Sequence, residues 1–281
     1  TLESSGFTGS YADGFKNAVL KILKLTLKKE PSKLPLSVNI IGPTIFHYNW
    51  ANDVAELKRM LNLLGVNVIS IICTGESLAN IKNANQAELN LVIYEEFGDS
   101  IATFMEKEFG IPIIGLNMFS PYGLNATEIW LGAIADFFHI PHDVIDLESK
   151  RIRLKCYPAL SKFTAFNDKL KGLSFGIFGD SSQILSLVSF FYEYLGMYPS
   201  VIGLKEVGPK SLLMLKKYVE KNSLNTSILI NPDQYEIYEC LKEKKINLLF
   251  GTSVEEYVSL TIDSDSSIFL PISFPYYEKV Q

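Results

Sequence analysis

Ser37-Val38-Asn39-Ile40-Ile41-Gly42-Pro43, then Trp50 to Leu64, then Val66 to Cys73 form the stretch on which the fold turns. The first run is short, apolar and rich in β-branched residues, and Gly-Pro closes it, so it reads as a buried strand. From Trp50 onward, Val54, Leu57, Leu61 and Leu64 recur at helical spacing, and Gly65 stands where a helix C-cap belongs. Val66 to Cys73 returns to a strand pattern. Strand, helix and strand at this length make one βαβ unit.

The same alternation continues outward. Leu89–Tyr94 and Ile111–Leu116 read as strands, with helices at Glu96–Phe109, stopped by Gly110, and at Ala126–Phe138. Residues 139–171, charge-rich from Glu148 to Lys155, read as a helical connector. A second series follows. Its strands are expected at Leu173–Phe178, Tyr198–Gly203, Thr226–Ile230, Ile246–Phe250 and Ser267–Leu270. Its helices are expected at Ile184–Leu195, capped by Gly196, and at Pro209–Lys221, Asp233–Lys244 and Val254–Leu260. This pattern predicts an α/β protein with two doubly wound, Rossmann-like parallel-sheet domains facing a cleft. The expected organisation is an N-terminal helical segment over 1–35, a first domain over 36–140, a connector over 141–171 and a second domain over 172–281.

Composition narrows the partners. A length of 281 residues suits two domains, and 47% hydrophobic with 20% charged residues is a globular balance. A net charge of -5 offers no basic stripe for nucleic acid. No apolar run reaches the roughly 18 residues a membrane span needs, and the polar, Gly-rich opening Thr1–Gly14 is no signal peptide. Cys73, Cys156 and Cys240 are far apart, as expected of reduced thiols in the cytoplasm rather than of a disulfide framework. The chain starts at Thr1 and not at methionine, which raises the expectation of a piece of a longer protein.

Parallel sheets bind ligands beyond the carboxyl ends of their strands, where the strand order reverses. That rule selects the candidates. Gly42, Cys73, Tyr94, Ser181, Gly251 and Ser253 lie in strand-end loops and are the cofactor-binding candidates. Glu95, Glu96 and His47 are the candidates for moving protons. Each has a plainer alternative. Glu95 or Glu96 caps or solvates the next helix, His47 is a surface histidine, Cys73 is a small buried hydrophobe, and the Gly179-Asp180-Ser181-Ser182 and Gly251-Thr252-Ser253 turns cap helices. His139, His142 and Asp143 lack the further ligands a metal centre needs, so no metal site is expected. Neither half holds a GxGxxG or a P-loop, which leaves dinucleotide or ATP binding by this chain without support.

Several segments taken in order resemble one family. They are Gly6-Phe7-Thr8-Gly9-Ser10, Leu61 to Val68 with Thr74-Gly75, Phe109-Gly110-Ile111-Pro112, Pro121 to Thr127, Lys171-Gly172-Leu173 with Phe178-Gly179-Asp180, Leu195-Gly196-Met197, Leu248 to Ser253, and Pro271 to Pro275. Together they resemble the nitrogenase component 1-type oxidoreductases, and the close is similar to their β-type subunits. The resemblance implies a subunit that works beside a second component 1-type subunit. It also implies electrons from an ATP-dependent iron–sulfur reductase, with an iron–sulfur cluster or a tetrapyrrole in the assembled oligomer. The family's subunits usually carry a further N-terminal domain with the cysteines of a relay cluster, and this sequence begins beyond it. Where α-type subunits place a cofactor-ligating cysteine, Tyr94 stands, and a phenol is a poor ligand for a soft cluster. The resemblance therefore implies no direct ligation of a nitrogenase-type cofactor here. The rival expectations are a non-catalytic metallocluster or tetrapyrrole scaffold of the same fold, and a small-molecule sensor.

Overall fold

The computed structural model describes residues 9–27, 32–72, 74–165, 170–262 and 267–273. Cys73, the start of the Gly6 to Ser10 segment and the end of the Pro271 to Pro275 segment lie outside them. The chain divides into two compact units, one of residues 1–45 and 49–148, the other of residues 46–48 and 149–281.

In the first unit, β1 (Ser37–Ile41), β2 (Asn67–Ile71), β3 (Leu89–Val92) and β4 (Ile113–Ile114) form a parallel sheet in the order β2-β1-β3-β4. The strand order reverses between β1 and β3. On one face Ile41, Ile72 and Val92 pack with Val19 and Leu23 of α1 (Tyr11–Thr26), Ile81 of α3 (Leu78–Lys82) and Ile101 and Met105 of α4 (Glu95–Phe109). On the other, Val38, Ile40, Leu89 and Leu91 meet Val54, Leu57 and Leu61 of α2 (Trp50–Leu63) and Trp130 and Ile134 of α5 (Gly123–Phe138). Alternate residues of each strand thus feed opposite layers, as a sheet covered on both faces requires.

Several differences from the sequence expectation have local causes. β4 is two residues long because Pro112 donates no backbone hydrogen bond and Gly115 leaves the ladder at φ +120°. Helix α3 and the 3-10 turn Ala84–Gln86 fill a stretch where no element is expected. Ser77 starts α3 by accepting from the Asn80 amide at 3.2 Å, a cap with only one turn behind it to betray it. Helix α5 begins at Gly123, three residues ahead of the expected start.

Helix α6 (Asp143–Ala165) fills most of the expected connector and carries Pro158 in its interior. In the second unit the parallel sheet runs β7-β6-β5-β8-β9, from β5 (Ser174–Gly179), β6 (Tyr198–Leu204), β7 (Ser227–Ile230), β8 (Leu248–Gly251) and β9 (Ile268–Pro271). Its order reverses between β5 and β8. Phe178, Val201 and Leu249 pack with Ile237 and Leu241 of α9 (Gln234–Glu243) and Val258 of α10 (Ser253–Ile262). Phe191 of α7 (Ser181–Leu195) stacks on Phe250 at 4.7 Å and meets Phe175 edge-on at 5.5 Å. Helix α8 (Pro209–Lys221) lies beside α7. Two parallel sheets, each with helices packed on its strands, make this the α/β architecture that the alternation of patterns predicts.

Candidate functional site

In the first unit the reversal point is built by close backbone approach. Gly42 follows β1 at φ +107°, and a Cβ there would sit 2.6 Å from the Tyr94 carbonyl oxygen. Gly115 at φ +120° leaves still less room, 1.9 Å from the Val92 carbonyl oxygen. These glycines let the strand-end loops close on one another. Tyr94 is buried at 3% exposure, and its hydroxyl lies 2.6 Å from that of Tyr122. Burial, reinforced by Tyr122, Asp53 and Glu96, holds the Tyr94 phenol well above its ordinary range, so it stays protonated. Ser120 donates to the Ile93 carbonyl at 2.6 Å and ties the loop after β4 to the end of β3.

Tyr122→Phe is expected to cost about 1–2 kcal/mol in denaturant unfolding, because a buried phenol then loses its partner. An unchanged midpoint would mean that the hydroxyl pair contributes nothing. Asp53, beside Asn49 at 3.2 Å, is a carboxyl that sequence reasoning passed over. Burial pushes its carboxyl up from the ordinary carboxylate range, with the Asn49 hydrogen bond opposing. A raised folded value means stability that is full below the unfolded value and lost as pH rises through the folded one. Asp53→Asn is therefore expected to raise the melting temperature at neutral pH, with the gain vanishing in acid. A gain that grows in acid would reverse that sign.

Glu95 and Glu96 stand in the first turn of α4 at 4% and 3% exposure. They follow the strand that ends at Val92 and sit at the helix N-terminus, where anions are favoured.

In the second unit the end of β5 turns into α7 through Asp180, Ser181, Ser182 and Gln183, all buried. Against the expectation of ordinary capping, Asp180 makes no side-chain cap bond to its helix. Ser181 instead donates its amide to the Glu206 carbonyl at 2.9 Å and accepts from the Gly208 amide at 2.8 Å. Ser182 and Ser211 hydroxyls meet at 2.9 Å. The turn into α10 does cap its helix. Thr252 Oγ1 accepts from the Val254 amide at 3.3 Å, and Glu255 accepts from the Thr252 amide at 2.7 Å. Gly251 stands against Glu255, and Ser253 is half-buried in the first turn.

His47 overturns its expectation most clearly, being 3% exposed rather than a surface residue. Residues 46–48 belong to this unit, His47 bridges Ser273 in antiparallel fashion, and its Nε2 lies 3.9 Å from Asp180 Oδ2. Two groups escaped sequence reasoning. Lys205, at the end of β6, reaches Thr252 Oγ1 at 2.9 Å and Glu255 at 2.9 Å, and Glu255 is fully buried. No local signal marks either, since 50 residues separate them.

Cluster ligation by the Tyr94 position does not fit, because its hydroxyl is committed to Tyr122 inside the core. Among the described residues no three His, Cys, Asp or Glu side chains converge as a metal centre. His142 instead lies 2.9 Å from Asp136 at the surface. No helix of the described residues is long and apolar enough to cross a membrane.

Two doubly wound parallel sheets with glycine-opened, polar strand-end loops make this an α/β protein of the Rossmann-like kind. The chain belongs to the nitrogenase component 1 type oxidoreductases, whose family model matches residues 1–281. It is 28% identical over 226 residues to the nitrogenase iron-molybdenum cofactor biosynthesis protein NifE of Methanococcus maripaludis, covering 80% of this chain and 45% of that protein. It is 27% identical to a subunit of the light-independent protochlorophyllide reductase of Synechococcus sp. (strain CC9902), covering 78% of this chain and 39% of that protein. The chain thus spans less than half the length of these relatives. In structure it resembles nitrogenase Cp1, with a TM-score of 0.77 at 18% identity, over 98% of this chain and 60% of that one. That likeness shows the fold.

Proposed function

We propose that this chain is one subunit, or part of one, of a component 1-type reductase in the cytoplasm. It works beside a second component 1-type subunit and takes electrons from an ATP-dependent iron–sulfur donor. The observation that carries this reading is the buried polar strand-end site of the second unit, in a chain that the family model matches throughout. Electrons delivered to a substrate must be matched by protons, and His47 with Asp180 is the pair suited to supply one. The Asp180 carboxyl lies 3.9 Å from the imidazole nitrogen, within ion-pair reach of the ring when it carries the proton. Glu95 and Glu96 serve the first unit in the same capacity, and Gly42, Gly251, Ser181 and Ser253 give backbone and hydroxyl contacts to a bound group. An iron–sulfur cluster or tetrapyrrole bound in the assembled complex would supply the redox chemistry.

A second reading has its own observation. Tyr94, where α-type subunits resemble this chain except for a cysteine, is locked to Tyr122, which suits a scaffold that holds a metallocluster or tetrapyrrole without turning it over. The test is anaerobic purification of the native full-length protein together with the products of neighbouring genes. Iron in the complex, with oxidation of a reduced iron–sulfur donor only when ATP is present, is the expected result. A complex that delivers a preloaded cluster to an acceptor without consuming electrons would replace the reductase reading by the scaffold.

A further inference from the structure

The first sheet carries an anomaly in its interior. Ser70 of β2, Asn39 of β1 and Asn90 of β3 are register partners across three adjacent strands, and all three are 0% exposed. Their neighbours on the same face are Ile72, Ile41 and Val92. A polar row in the middle of an apolar layer is costly unless each group is bonded.

The row is aligned by a distortion. Val38 pairs with Val68, but Asn39 pairs with Ser70, so the β1–β2 ladder skips Ile69. A bulge re-aims the side chains that follow it. Without it Asn39 would stand opposite isoleucine; with it a hydroxyl joins the row.

Protein groups satisfy only part of what the row offers. Asn39 Nδ2 donates to the Ala84 carbonyl at 2.7 Å and to Asn90 Oδ1 at 2.9 Å, which uses both of its protons. Asn39 Oδ1, Ser70 Oγ and Asn90 Nδ2 find no partner among the described residues. Two of these three can donate and one accepts. Exchanging oxygen and nitrogen of either amide would only move the deficit, since the Ala84 carbonyl needs a donor from Asn39. The row is joined through Asn39 to the 3-10 turn Ala84–Gln86, and Lys33 Nζ donates to the Asn85 carbonyl of that turn at 3.1 Å and to that of Ala87, which follows it, at 3.0 Å.

We propose that this row is an internal hydration site that holds ordered water between β2, β1 and β3. One water accepts from Ser70 and donates to Asn39 Oδ1; another accepts from Asn90 Nδ2 and donates to the first. Such waters make two to four hydrogen bonds to buried groups and are integral to the fold. The chemistry selects water or an equally small neutral donor–acceptor, because the cluster contains no charged side chain. The water bridge also gives the bulge a role: it joins β2 to β1 on this face, where the amide pair links only β1 and β3.

The test is a crystal structure of the chain at a resolution that shows ordered solvent, with nuclear Overhauser contacts between the Asn90 side-chain amide protons and long-lived water as a second measurement. Density at hydrogen-bond distance from Ser70 Oγ and Asn39 Oδ1, and from Asn90 Nδ2, is expected, together with those contacts. Rotated side chains that bond one another, with no solvent density and no contacts, would overturn the proposal. Ser70→Ala is a mild variant that should keep the fold. It is expected to lose or displace the bridging water while the Asn90 water contacts persist, and an unchanged solvent pattern around Asn39 would show that Ser70 plays no part.

Discussion

Gly42→Ala is expected to destabilise the first unit by about 4 kcal/mol or more in denaturant unfolding, combining left-handed strain with backbone overlap. At φ +107° an alanine is strained whatever its surroundings, and its Cβ would lie 2.6 Å from the Tyr94 carbonyl oxygen and 2.7 Å from the Tyr94 amide nitrogen. Both are main-chain atoms, so no side-chain rotation relieves the overlap. The loop after β1 or the turn into α4 would have to move, and with it Tyr94, Glu95 and Glu96. Gly65→Ala supplies the comparison. It shares a positive φ of +71° but meets nothing within 4 Å, so only the left-handed strain of about 1–2 kcal/mol is expected. Equal costs for the two variants would refute the claim that close approach, rather than backbone strain, dictates glycine at position 42.

Lys205→Met should cost about 3 kcal/mol at neutral pH, because it leaves the Glu255 carboxylate buried without its cation. The Thr252 amide and hydroxyl still donate to Glu255, each at 2.7 Å, which keeps the loss below that of a bare buried charge. The side chain of Lys205 is 28% exposed, so the pair itself is partly screened and the penalty falls on the carboxylate that stays behind. Adding Glu255→Gln to Lys205→Met is expected to recover much of the loss, since the amide oxygen keeps the Thr252 bonds without the charge. If the double variant is no more stable than the single one, the network is packing and not electrostatics.

The architecture was legible because its signals are local. The apolar runs and the caps at Gly65, Gly110 and Gly196, all at positive φ, place the elements to within a few residues. The site was legible only in outline. Topology names the strand-end loops as candidates, but whether a residue there is buried depends on segments distant in sequence. His47 looked like a surface histidine among Tyr48 and Asn49, yet its burial comes from Asp180 and Ser273, more than 130 residues on. Asp180 has the sequence of an N-cap and turns instead toward His47. Lys205 and Glu255 meet only because β6, β5 and β8 lie side by side. The Ser70 row needed a bulge that no periodicity announces.

The measurement closest to the centre of this account is ATP-dependent electron flow from a reduced iron–sulfur donor through the native full-length complex, with His47→Gln run beside the wild type. Glutamine keeps the size and polarity of the side chain but cannot carry the proton. Flow in the wild type is expected and, in a variant of unchanged melting temperature, turnover lower by about a hundredfold, the loss that removal of a general acid brings. No ATP-dependent flow in the wild type, or equal turnover in the variant, would contradict it.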